Sequence, residues 1–200
     1  SLISRAAPGL TLACGAAQAA GPLYLQDTSP PRPYVWDTSK GSIPVWTDGG
    51  GAFTYDFDGV TPFITIERAN EITQFAFDQW NKVPSATFQA GIAGTIKNKT
   101  GVADVTGANA AQFYEKQNGY GFWVLYDTDG SILEEYFGVS RYAVLGIAFP
   151  EWADDDGRIT EATALLNGWY VDASDTKGNF VAGVFTHEFG HAINLSHSQV

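Results

Sequence analysis

The chain of 200 residues is 44% hydrophobic and 14% aromatic, which is enough apolar surface for one well-packed domain and argues against disorder. Its formal net charge of -11, with only 11 Lys and Arg residues, argues against nucleic acid or an anionic membrane surface as a partner. The sequence contains no apolar run of about 18 residues and therefore predicts no membrane span.

The first 33 residues differ from the rest of the chain. They are rich in small residues and end in a proline-rich stretch, which predicts a signal or pro-segment remnant or a linker at 1–33 and a domain at 34–200. Ala17–Ala19 resembles a signal-peptide cleavage site, so we expect a secreted protein. The single cysteine, Cys14, cannot form a disulfide within the chain, and a lipid anchor at this position is an alternative to a signal tail.

From Tyr34 onward the pattern is that of a globular domain. The runs "YVW" and "IPVWT" predict two strands separated by the turn "DTSKGS", and Pro44 favours an edge position for the second strand. The segment "TIERANEITQFAFDQWNKV" predicts a long helix that Thr65 caps and Pro84 ends. Spacings of three and four residues predict its buried face, which consists of Ala69, Ile72, Ala76, Trp80 and Val83.

The second half predicts more strands and one more helix. Five runs separated by Gly, Asn and Asp turns predict strands: "ATFQA", "GVADVT", "GFWVLY", "AVLGIAF" and "ATALLNGWYV". A final helix is predicted from Asn179 to Ile193. The order of strands, long helix, further strands and final helix predicts an α+β fold with a mixed twisted sheet and helices packed on it.

All three histidines of the chain lie in "THEFGHAINLSH". His187 and His191 are four residues apart on the predicted helix, so their rings project from one face and can reach one zinc ion at about 2.0–2.1 Å. His197 can supply a third ligand if the helix ends at Asn194, because Asn tolerates the left-handed conformation that closes helices. Three protein ligands leave one position for water, from which Glu188 can take a proton as general base.

This arrangement resembles the long zinc motif H-E-x-x-H-x-x-G-x-x-H of the metzincin endopeptidases, with Asn194 in the glycine position. The wider sequence is similar to the matrixin-like bacterial branch over roughly residues 34–197. The resemblance implies a zincin-like fold, a zinc cofactor and hydrolysis of peptide bonds. It also implies that the strand "GIAF" lines the substrate cleft, where the backbone of Ile147 and Ala148 would pair with an extended peptide.

Several points stay open on sequence alone. "AVLGIAF" could instead be an ordinary buried strand. Matrixin-like proteins often carry calcium, which two acidic stretches could bind, although solvated turns are the alternative. These stretches contain Asp127 with Asp129, and Asp154 with Asp156.

The resemblance also implies segments that the sequence does not contain. Metzincins continue past the third histidine into a small subdomain with a methionine-containing turn, whereas this sequence ends at Val200 and has no Met, so we expect a C-terminally truncated catalytic domain. Cys14 followed by Gly15 is similar to the thiol that keeps family members latent. The predicted function is therefore a zinc endopeptidase. The alternatives are an inactive zincin-like binding or surface module and a zinc hydrolase of a non-peptide substrate.

Overall fold

The computed structural model describes residues 21–169, 171, 174–175 and 177–197. Residues 1–20 lie outside the described residues, so the interpretations of Cys14 as signal tail, lipid anchor or latency thiol stay predictions. Each helix in the described ranges falls short of the length and apolar character needed to cross a bilayer.

Eight strands and four helices make up the described chain. In chain order they are β1 (Val35–Trp36), β2 (Ile43–Thr47), β3 (Thr54–Tyr55), β4 (Pro62–Ile64), α1 (Ile66–Asn81), β5 (Ala90–Thr95), α2 (Ile96–Thr100), α3 (Ala110–Tyr114), β6 (Gly121–Asp127), β7 (Gly146–Ala153), β8 (Arg158–Asn167) and α4 (Asn179–Ala192). A short 3-10 turn at Thr38–Lys40 and a π-helical turn at Ile132–Tyr136 complete them.

The main sheet is mixed and mostly parallel. Its hydrogen-bonded order is β1-β8-β6-β2-β5, with every neighbouring pair parallel, and β7 pairs with β8 in the antiparallel direction. Strands β3 and β4 form a separate two-stranded hairpin. This arrangement confirms the predicted α+β class and the mixed sheet.

Successive side chains of β6 pack into two different apolar layers, one on each face of the sheet. Phe122, Val124 and Tyr126 belong to the cluster that contains the buried faces of α1 and α4. Trp123 and Leu125 belong to the cluster formed with α3 and the π-helical turn. Because β6 is buried on both faces, its sequence is a nearly continuous apolar run rather than an alternating one.

Helix α1 matches its prediction closely. The Thr65 hydroxyl accepts a hydrogen bond from the Arg68 N–H at 3.2 Å, as a capping residue does. The predicted burial of Trp80 and Val83 is wrong: the helix ends at Asn81, before Val83, and Trp80 lies within the helix but is only partly buried. The buried face consists of Ala69, Ile72, Thr73, Ala76 and Phe77.

The predicted edge position of Pro44 is wrong, because β2 lies between β5 and β6. Pro44 is tolerated there since the pairing with β6 begins one residue later, at Val45 and Phe122. A proline therefore removes no donor from that ladder. Its opposite neighbour in β5 is Gly91.

Four predicted strands also need correction. "AVLGIAF" becomes a strand only at Gly146, and that strand continues to Ala153. The "ATFQA" strand starts only at its last residue, Ala90, whose N–H and carbonyl both bond the Asn81 side chain, at 2.9 and 2.8 Å. "GVADVT" is a loop, because the Val105 N–H bonds the Asp48 carboxylate at 3.1 Å rather than a neighbouring strand. β8 starts at Arg158 and ends at Asn167, so it begins and stops before the bounds that "ATALLNGWYV" predicts.

Candidate metal centre

Helix α4 is anchored at its start by Asp175 and along its length by aromatic packing. The Asp175 carboxylate accepts hydrogen bonds from the N–H groups of Asn179 at 2.8 Å and Val181 at 3.1 Å. Phe189 is fully buried and stacks on Phe77 of α1, with ring centroids 4.2 Å apart. The observed bounds confirm the predicted helix to within one residue, and its apolar face fixes which side chains point outward.

The helix closes at Asn194, as the sequence predicts. Asn194 has φ 79°, the one positive φ at a non-glycine residue in the ranges described. Its N–H donates to the His191 carbonyl at 2.8 Å, and the Leu195 N–H donates to the Gly190 carbonyl at 2.9 Å. This reversal returns the chain over the end of α4, so that His197 lies beside the two helical histidines.

The three imidazole rings converge through their Nε2 atoms. The Nε2 separations are 3.1 Å between His187 and His197, 3.1 Å between His187 and His191, and 3.0 Å between His191 and His197. Three nitrogens bound tetrahedrally to one zinc ion would lie about 3.3 Å apart. The three side chains could therefore hold a metal ion with only a small adjustment.

The protonation state of His191 suits a metal ligand. Its Nδ1 lies 2.7 Å from the Leu195 carbonyl, which can only accept a hydrogen bond, so Nδ1 carries the proton. Nε2 of the neutral ring is then left with its lone pair facing the other two rings. A backbone carbonyl behind a metal-binding imidazole is a common device for fixing its tautomer and orientation.

The electrostatics of the cluster favour uncharged imidazoles. Partial burial, followed by the proximity of His191 and His197, lowers the pKa of His187. Burial also lowers the pKa of His191; the hydrogen bond to the Leu195 carbonyl opposes this lowering, and the proximity of His197 adds a smaller lowering. Metal ligation requires neutral rings, so these shifts prepare the site for a cation.

Glu188 follows His187 in α4 and belongs to the buried residues of that helix. Its side chain is 8% exposed, and burial raises its pKa to about 7 in the metal-free protein. Within the described residues its carboxylate has no hydrogen-bond partner, so both oxygens are available to a small molecule in the site. A carboxyl group with a pKa near neutrality can accept and return a proton at physiological pH.

Gly146, at the start of β7, lies directly against Glu188, a contact that the sequence reasoning missed. A Cβ atom at this position would lie 2.9 Å from the Glu188 Cγ and 2.8 Å from the Leu165 carbonyl oxygen. Both distances are shorter than those that Cβ atoms make to neighbouring atoms in proteins. A glycine at a strand end can indicate that another part of the chain approaches closely, but the sequence does not identify the approaching residue.

Substituting Gly146→Ala should therefore destabilise the protein. We expect the free energy of unfolding to fall by about 1–3 kcal/mol, the usual range for overpacking, because the strand must move away from β8 and α4. Urea denaturation measures this change. Gly183→Ala is the matched control, since a Cβ there meets nothing within 4 Å and a helical alanine should stabilise by about 0.5–1 kcal/mol. Equal stability of Gly146→Ala and the parent would contradict the close contact.

The predicted substrate strand lies at the margin of the sheet. Ile147 and Ala148 pair with Leu165 and Ala164 of β8, and β7 has no second neighbouring strand in the described part of the chain. Ala148 is buried while Ile147 is half-buried, so the side chains pack as in a core strand. Pairing of the outer backbone edge with a peptide stays a prediction.

The carboxylates of the two acidic stretches accept hydrogen bonds from backbone N–H groups of their own turns. The buried Asp127 accepts hydrogen bonds from the N–H groups of Ile132 at 3.1 Å and Leu133 at 2.9 Å. Asp129 accepts one from Ser131, and Asp154 accepts one from the N–H of Asp156. Among the residues described, only the histidine cluster brings together three or more potential metal-binding side chains, which favours the turn interpretation over calcium.

No protein-family model, curated protein or solved structure matches the chain. The structure by itself defines a mixed α+β domain with a three-histidine group that could hold a metal ion. Membership of the metzincins stays a prediction.

Proposed function

We propose that the protein is a zinc-dependent endopeptidase of the zincin-like type. The observation that carries the proposal is the convergence of three Nε2 atoms within 3.1 Å of one another, on the helix that also carries the buried Glu188, whose carboxylate has no hydrogen-bond partner among the described residues. His187 and His197 are exposed, so water and substrate can reach the site. Three protein ligands with solvent access are typical of catalytic rather than structural zinc.

Each residue has a role in this proposal. Zinc held by the three histidines would polarise the scissile carbonyl and lower the pKa of water. Glu188 accepts the proton of the attacking water and passes it to the leaving amine. Gly146 leaves room for the Glu188 side chain. The outer edge of β7 at Ile147 and Ala148 would bind the peptide backbone by strand addition.

Metal analysis and proteolysis of the same preparation test the proposal. We expect one zinc per chain after zinc loading, and the loss of both zinc and peptide hydrolysis on treatment with a chelator. His191→Ala should bind zinc much more weakly, because removal of one of three ligands leaves two. Full zinc occupancy without hydrolysis across a diverse peptide library would favour the non-catalytic binding module instead.

A further inference from the structure

The side chain of Asn194 connects the histidine turn to a segment that lies about 170 residues earlier in the chain. Its Nδ2 donates hydrogen bonds to the carbonyls of Tyr24 at 3.0 Å and Tyr34 at 2.9 Å. Its Oδ1 accepts one from the Tyr24 N–H at 2.7 Å. Asn194 is 2% exposed, so these three bonds are made out of contact with solvent.

Backbone pairing extends the same contact on both sides. The Leu23 N–H donates to the Asn194 carbonyl at 2.8 Å, and the Ser196 N–H donates to the Gly21 carbonyl at 2.8 Å. Pro22 and Leu195 form an antiparallel bridge between these two bonds. Residues 21–24 thus run alongside the turn that leads directly to His197.

The positive φ alone does not explain an asparagine at this position. Glycine adopts this conformation with no side-chain penalty, so a turn that needed only the conformation would be better served by glycine. The three side-chain bonds are what asparagine adds. The residue after it, Leu195, supplies the carbonyl that orients His191, so the position of Asn194 affects two of the three rings.

We propose that Asn194 is a positioning residue for the metal centre, which holds His197 and the Leu195 carbonyl in place by binding the backbone of Tyr24 and Tyr34. The inference rests on the proposed zinc site. In this arrangement the segment at 21–24 supports the metal centre without supplying a ligand. Its contacts with the turn determine the position of the third ligand, His197. Partners behind the ligands commonly change metal affinity by about 10- to 100-fold when they are removed.

Two substitutions separate the backbone role of Asn194 from its side-chain role. Asn194→Gly keeps the left-handed turn and removes all three side-chain bonds. Asn194→Asp keeps an acceptor for the Tyr24 N–H and removes both donors. The control is Asn109→Gly, since Asn109 also bonds two backbone groups, Thr106 N–H and Asp104 carbonyl, but precedes α3 on the other layer of the sheet.

The readouts are the zinc dissociation constant from chelator competition, the visible spectrum of the cobalt-substituted protein, and the melting temperature without metal. We expect both Asn194 variants to bind zinc about 10- to 100-fold more weakly and to show an altered cobalt spectrum. Asn109→Gly should retain the parental zinc affinity and spectrum, whatever its melting temperature.

Other results would overturn the inference in distinguishable ways. Parental zinc affinity in both Asn194 variants, with a lowered melting temperature, would make Asn194 a purely structural residue and leave the proposed function standing. The same conclusion follows if neither variant folds without metal while the parent does. A parent protein that binds no zinc would overturn the proposed function and this inference together.

Discussion

Replacing Glu188 with glutamine should lower kcat/KM for peptide hydrolysis by about 100- to 10,000-fold, the range for loss of a general acid-base group, while zinc remains bound. Glutamine has nearly the same shape and keeps the contact with Gly146. It cannot accept a proton at neutral pH. Because Glu188 does not belong to the histidine cluster, its loss removes no metal ligand. Steady-state hydrolysis and metal analysis on the same sample measure the two effects.

Two comparisons make this result specific to the carboxylate. Glu115→Gln changes an exposed glutamate elsewhere on the surface and should leave hydrolysis unchanged. Parental activity in Glu188→Gln would exclude the general-base role. A variant that lost zinc together with activity would instead assign Glu188 to metal binding.

The parts of the molecule that sequence predicts well are those encoded over short distances. The three histidines lie within eleven residues, so helical spacing and one turn-forming asparagine suffice to predict their convergence. Helix α1 is likewise predicted by its local periodicity and its capping threonine. In both cases the interacting groups are close in sequence, and no pairing of distant strands is required.

The errors concern contacts between distant segments. Pro44 suggested an edge strand, but strand order is determined by which distant segments pair, and a proline fits an inner strand where one ladder has not yet begun. The approach of Gly146 to Glu188 depends on how β7 crosses α4. The bonds from Asn194 to Tyr24 join residues 170 positions apart, and no local pattern contains that information.

A further feature that local patterns did not show is the buried carboxyl group of Asp48, directly after β2. It is 0% exposed, and its carboxylate accepts hydrogen bonds from the N–H groups of Gly49 at 2.9 Å, Val105 at 3.1 Å and Tyr126 at 3.4 Å. Burial outweighs these bonds and raises the pKa of Asp48 to about 8, with a further contribution from nearby Asp104.

The raised pKa makes stability fall as pH rises. Below about pH 4 the carboxyl group is protonated in both the folded and the unfolded chain. Between about pH 4 and pH 8 it is charged only in the unfolded chain, so the unfolded state releases a proton that the folded state keeps, and the free energy of unfolding decreases. Above about pH 8 both states are charged and this contribution becomes constant.

Urea denaturation of the metal-free protein at several pH values measures this effect. Between the pKa of the unfolded chain and the folded-state pKa of about 8, each pH unit removes about 1.4 kcal/mol from the free energy of unfolding, so we expect a loss on the order of 3 kcal/mol between pH 5 and pH 8. Asp48→Asn should flatten that dependence, because an amide does not titrate.

The exposed Asp155, changed to Asn, should leave the slope at its parental value. Glu161 and Glu188, whose pKa values burial raises to about 7, retain their share of the slope in both variants. An Asp48→Asn protein with the full parental slope would show that Asp48 is already charged in the folded state at pH 5, and that its three backbone hydrogen bonds outweigh its burial.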